Sequence, residues 1–275
     1  MIQREVRFVE TVVVSEPSTR VLAVLRDISR GGLAGVVAGI VAAGIGGRAV
    51  MRLSFLIDPG TEGLRTENGF RIGQFTASGT IELIIFGGLF SGLVVGVVWV
   101  IVRDFLPVRG RVGWAALAAV AIGGFNLIET DNPDFDILDP VWAHVLILLG
   151  LIALIGALTA LTDRWLDRHL PTGARNRPAA LVVYGIITLL GANAAVLTFA
   201  SFFSSGFCFC EDPPWLTGTG LLVAAAAFSS WAITRITAPD LPRPTGSRLA
   251  VGRFGVALAV VAGVAHLIGR IAQIV

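Results

Sequence analysis

The sequence predicts an all-α, polytopic integral membrane helix bundle of about seven transmembrane helices. Three observations predict it. Of the 275 residues, 55% are hydrophobic and only 15% charged, with a mean hydropathy of +0.80; a water-soluble domain carries about 25% charged residues. Apolar runs recur along the whole chain at the length, roughly 20 residues, that a helix needs to cross a hydrocarbon core of about 30 Å. Arginines collect in alternate loops between those runs.

Taken in order, residues 1–30 read as a cytoplasmic N-terminal segment and residues 31–275 as the transmembrane domain. The stretch Met1 to Arg30 lacks the apolar core and small-residue cleavage site of a secretory signal, so the first membrane helix is expected to direct insertion. Val6 to Val14 is β-prone, and Ser18 suits the N-cap of a short helix through Ile28. The membrane helices are expected at 31–57, 80–102, 113–129, 141–162, 179–203, 216–235 and 250–272. The third is the shortest.

Orientation follows from the arginines, since basic residues concentrate in cytoplasmic loops. All 21 of the Lys+Arg residues are arginine. One set of segments holds Arg20, Arg26 and Arg30, then Arg103, Arg109 and Arg111, then Arg164, Arg168, Arg175 and Arg177, then Arg235, Arg243, Arg248 and Arg253. The other holds Arg65 and Arg71, with most of the loop acids. The pattern predicts a cytoplasmic N-terminus, a C-terminus at the outer face and residence in the cell membrane. Without lysine there is no Schiff-base or P-loop lysine chemistry, and a net charge of +2 is too small to argue for nucleic acid.

Gly31, Gly35, Gly39, Ala43 and Gly47 recur every four residues in the first helix, as do Gly88, Gly92 and Gly96 in the second. Four-residue spacing stacks them on one face. Small residues let helix backbones approach in lipid, where hydrophobicity cannot drive association. These two helices should therefore pack together, and such stripes also suit a helix-packing partner or homo-oligomer. Between them, Pro59-Gly60 ends the first helix, and Asn68-Gly69 signals a hairpin ending near Gly79.

With orientation assigned, the deep polar residues fall in the outer part of the bundle: Arg48, Arg52, Glu82, Asn126, Glu129, His144, His266 and Arg270. The inner half is expected to be almost bare of them. Intramembrane ionisable groups usually face the bundle interior and pair, here Arg48 or Arg52 with Glu82 or Glu129. Their clustering points to an outward-facing polar site for a small solute or ion. Asn193 should make an interhelical hydrogen bond.

Asp131, Asp134 and Asp136 lie in the densest acidic run, whose oxygens suit a hard cation, though the spacing departs from an EF-hand loop. Pro133 marks the run first as a turn. Cys208 and Cys210 fall on the oxidising side, where a disulfide between residues two apart would close a small, strained ring. No cofactor motif is present: Gly-x-Ser-x-Gly, His-Glu-x-x-His and a dinucleotide fingerprint after a strand are all missing. Three function classes fit. Binding or transport of a small solute or ion leads. A non-enzymatic scaffold or accessory subunit follows, then a membrane-embedded enzyme acting on a lipid or envelope precursor. Beyond these, the lipid bilayer is the expected partner.

Overall fold

The computed structural model describes residues 17–66, 69, 71–74, 76–172, 177–208, 212–237 and 243–275. Helix α1 is continuous, formed by an α-helical stretch Pro17–Ala38, a π-helical stretch Gly39–Gly46 and a second α-helical stretch Gly47–Ile57. Helix α2 repeats that plan with Ala77–Glu82, a π-helical Leu83–Phe90 and Ser91–Val102. Helix α3 covers Arg111–Gly123 and ends in a 3-10 turn, Gly124–Asn126. Then follow α4 (Val141–His169), α5 (Arg177–Ser201), α6 (Trp215–Thr237) and α7 (Gly246–Ile274). Asp134–Ile137 and Ser205–Cys208 are single helical turns.

Six helices, all but α3, are long and apolar enough to cross a membrane. The chain is thus an all-helical, multi-pass membrane protein. The helix expected to begin at Ser18 is not a separate element, because α1 runs unbroken through residue 30 and beyond. Helix α4 continues past residue 162 to His169.

The hairpin over the α1–α2 connection forms. Arg65 and Arg71 make an antiparallel bridge, flanked by hydrogen bonds from Gly63 N to Ile72 O (3.2 Å) and from Ile72 N to Leu64 O (2.9 Å). Gly69 takes φ +77°, the left-handed region a tight hairpin turn needs. Thr76 then caps α2, its hydroxyl accepting from Gly79 N at 3.3 Å.

Helices α1 and α2 touch backbone to backbone. A Cβ placed on Gly35 would lie 2.2 Å from Gly96 N, and one on Gly39 2.3 Å from Gly88 O. Beyond Gly39 the seam passes through Gly44, where a Cβ would meet Ile84 Cα at 3.0 Å, rather than through Ala43. The five-residue step is the work of the π-helical stretch, which bonds i to i+5 and shifts the face by one residue. The two π-helical stretches pack on each other. A second seam joins α6 to α7, where Cβ atoms on Gly220 and Gly255 would each lie under 3 Å from the opposing backbone. Gly156 seats α4 on the Ala115 carbonyl of α3, and Gly263 seats α7 on that of Ala121.

At the arginine-rich end the helices are tied by charge. Asp163 of α4 takes Arg30 Nε from α1 and Arg103 Nη1 from the end of α2, each at 3.0 Å. Arg103 Nη2 donates to the Asp27 carbonyl at 2.8 Å, while the Asp27 carboxylate pairs with Arg235 of α6. Arg30 and Arg26 also reach Asp167. Arg111, at the start of α3, pairs with Asp104 at 3.6 Å and donates to the Arg103 carbonyl. This overturns the expectation that the inner half is bare: Asp163 and Arg103 are among the most buried charged side chains described. The carboxylates and guanidiniums pair with one another, which offsets much of the cost of taking charges out of water.

Candidate functional site

Below the hairpin, residues of α1 to α5 line an open cavity of about 720 Å³. Its polar lining gathers at the end opposite the ionic network: Thr66 from the hairpin, Asn126 after α3, Asn132 and Asp134 from the next loop, and His144 from α4. Deeper, the wall is apolar, built from Val95, Val98, Ile122, Leu148 and Ile152. Trp99 and Val102 line its deepest part, and the Arg111 guanidinium sits 5.7 Å from the centre of the Trp99 ring. The cavity thus runs from the polar loops at one end almost to the ion pairs at the other.

His144 is a buried polar group of the wall, 2% exposed. Its Nδ1 lies 3.1 Å from the Pro140 carbonyl. A carbonyl only accepts, so Nδ1 carries the proton, and in the tautomer with that one proton Nε2 is left as an acceptor. Nε2 is buried and has no hydrogen-bond partner among the described residues. A buried acceptor left unmade costs roughly 1–3 kcal/mol, a penalty that a donor entering the cavity would relieve.

A second cavity of about 500 Å³ lies between α6 and α7 at the same end. His266, Arg270, Thr217 and Asp212 line it. Arg270 Nε donates to His266 Nε2 at 3.0 Å, and its Nη2 donates to the Asp212 carbonyl at 3.0 Å. Phe125 stands between the two cavities, its ring 5.3 Å from that of Phe202, in the first wall, and 6.5 Å from His266 in the second.

The expected outer cluster is therefore divided. Asn126 and His144 line the first cavity, and His266 and Arg270 the second. Arg48, Arg52, Glu82 and Glu129 line neither. Arg48 is buried against the first turn of α2, where only a glycine at position 79 leaves room for its Nη2. Arg52 is exposed, donates to the Gly73 carbonyl at 3.2 Å and stacks on Phe55. Glu82 is exposed and forms no ion pair among the described residues. Glu129 is half-buried at the turn after α3.

The acidic run does not assemble a metal centre. Among the described residues no three His, Cys, Asp or Glu side chains gather as ligands. Asn132 Oδ1 accepts from Asp134 N at 2.8 Å, an Asx turn that starts the single turn Asp134–Ile137, and Asp131 and Asp136 are exposed. The pairing of Cys208 with Cys210 lies outside the described residues. Asn193 is exposed, and its Nδ2 donates to its own helix at Leu189 O, 2.8 Å away, rather than across an interface.

Sequence reasoning missed Asp163, Arg103 and Thr217. A signal existed for the first: Thr159, Ala160, Asp163 and Leu166 are all buried, at helical spacing that carries the inward face of α4 past residue 162. Compared with known proteins, the chain matches no family model, no curated sequence and no solved structure.

Proposed function

We propose that this protein binds a small amphipathic solute inside the membrane. The apolar part would lie in the first cavity, and a hydrogen-bond donor such as a hydroxyl would meet His144 Nε2 near the polar mouth. One observation carries the reading: a large, mostly apolar cavity has at its polar end a buried ring nitrogen, His144 Nε2, with no hydrogen-bond partner among the described residues. Sites for small molecules are mostly apolar with a few placed polar groups. The wall argues for an amphipathic molecule over a bare ion, which would need several oxygen or charged ligands. A scaffold role drew its support from the glycine stripes, and those of α1 and α2 are spent on each other.

In this reading the protein sits in the cell membrane with seven crossings, the N-terminus cytoplasmic and the polar mouth outward. The arginine-rich end supports the orientation. Helix α3 supports the count: Arg111 reaches the ionic network at one end, and Gly124 packs on Leu267, one turn from Arg270, at the other.

The test is native mass spectrometry of the full chain purified in mild detergent. An amphipathic molecule should be retained by the wild type and lost from Val98→Trp, which fills the cavity, with folded yield preserved. His144→Phe should weaken retention of a hydroxylated probe such as a fluorescent fatty alcohol. Equal binding of that probe by wild type and Val98→Trp would remove the reading.

A second reading, self-association through α5, has its own observation. Val182, Ile186, Leu189, Asn193 and Val196 are all exposed and follow heptad spacing on one face. An amide on a lipid-facing stripe is costly unless a partner meets it, and a lone Asn in such a seam sets register.

A further inference from the structure

We infer that the cavity between α6 and α7 is a binding site for a phosphate-type oxyanion. Arg270 is 6% exposed and lines it, yet its guanidinium has no carboxylate counter-ion among the described residues. Its Nη1 is buried without a hydrogen-bond partner among the described residues. Nη2 is met by the carbonyl of Asp212, an exposed residue at the rim, and Nε by a neutral His266 nitrogen. A buried cation held only by neutral acceptors carries an uncompensated desolvation cost, and an anion in the adjoining cavity removes it.

The remaining donors converge on the same space. Thr217, 1% exposed, lines the cavity with a buried hydroxyl that has no hydrogen-bond partner among the described residues. Thr217 and Leu216 lie in the first turn of α6, a helix of 23 residues, and their amides make no backbone hydrogen bond among the described residues. The N-terminus of a helix of that length presents unmet N–H groups and a positive dipole end. A planar guanidinium, a hydroxyl and helix-end amides are the donor set that takes several oxygens of one tetrahedral anion. Free phosphate and a phospholipid headgroup share this chemistry, and the site lies at the end of the bundle where either would arrive. The solute proposed for the first cavity plays no part in this.

The test uses the delipidated full chain in a maltoside detergent, with the thermal unfolding midpoint as readout. Inorganic phosphate, phosphatidylglycerol in mixed micelles, and chloride at matched ionic strength are added separately. A rise in midpoint with phosphate, absent with chloride and lost in Arg270→Gln, identifies a free-phosphate site. A rise with phosphatidylglycerol alone, with one lipid retained by the wild type in native mass spectrometry and none by Arg270→Gln, identifies a headgroup site. If Arg270→Gln does not fold, Thr217→Val carries the test, with binding weakened about tenfold by loss of one charge-assisted hydrogen bond. No stabilisation by either anion, or stabilisation unchanged in both variants, overturns the inference.

Discussion

Arg103 and Asp163 meet at 3.0 Å with side chains 1% and 3% exposed, joining the end of α2 to α4 beneath the first cavity. Asp163 also holds Arg30 of α1, so one carboxylate serves two guanidiniums. Removing it takes the nearest carboxylate from Arg103, which keeps only Asp104 at 3.6 Å, and leaves Arg30 to Asp167 and Asp27. Asp163→Asn should cost about 3–5 kcal/mol, the range for breaking a buried ion pair from one side. The measurement is folded yield and unfolding midpoint in detergent. Adding Arg103→Gln should recover part of the loss, because the double variant no longer buries that charge. A mild effect of Asp163→Asn would mean that water already reaches the network.

Two neighbouring glycines of α1 separate close packing from composition. A Cβ on Gly35 would strike Gly96 N at 2.2 Å, whereas one on Gly32 meets nothing within 4 Å. Gly35→Ala must therefore push α1 from α2 and should destabilise by roughly 1–3 kcal/mol, the usual cost of overpacking. Gly32→Ala should be neutral or slightly stabilising, since alanine is the better helix former. Parallel unfolding curves decide it; equal effects at the two positions would contradict the seam.

The membrane helices were legible because an apolar run long enough to cross lipid has few other uses, and the glycine stripes because four-residue spacing is itself a helix face. Their limits were not. Asp163 and Asp167 fall beyond the helix end expected at 162, and the arginines that neutralise them lie 60 to 141 residues away in the chain. The candidate site was half legible. Depth along each helix brought His144, Asn126, His266 and Arg270 to one end, but not their rotation about the helix axis. Phe125 and Phe202 divide what depth alone would have merged, and Thr217 passed unnoticed as one more small polar residue in an apolar helix.

The orientation can be read with single cysteines in a background where Cys208 and Cys210 are serine. Asp131 is exposed in the loop after α3, and Arg109 and Arg168 are exposed at the arginine-rich end. A membrane-impermeant maleimide on intact cells should label Asp131→Cys and spare Arg109→Cys and Arg168→Cys, which should react only after permeabilisation. The opposite pattern would invert the topology. Labelling of Asp131→Cys and Arg109→Cys from the same side would show that α3 turns back without crossing.

Asn193 tests whether α5 faces lipid or another copy. Its amide spends one N–H on Leu189 O within its own helix, which leaves its carbonyl and second N–H for an acceptor or donor across a seam. Facing lipid, Asn193→Leu should stabilise the monomer by removing a polar group from hydrocarbon, with no change in size. At a seam between copies, the same change should weaken the assembly by about 0.5–2 kcal/mol, the worth of an interhelical hydrogen bond in a bilayer. A dilution series by single-molecule photobleaching in nanodiscs or by native mass spectrometry separates the two. With α5 at a seam, the wild type should hold together at dilutions where Asn193→Leu falls apart.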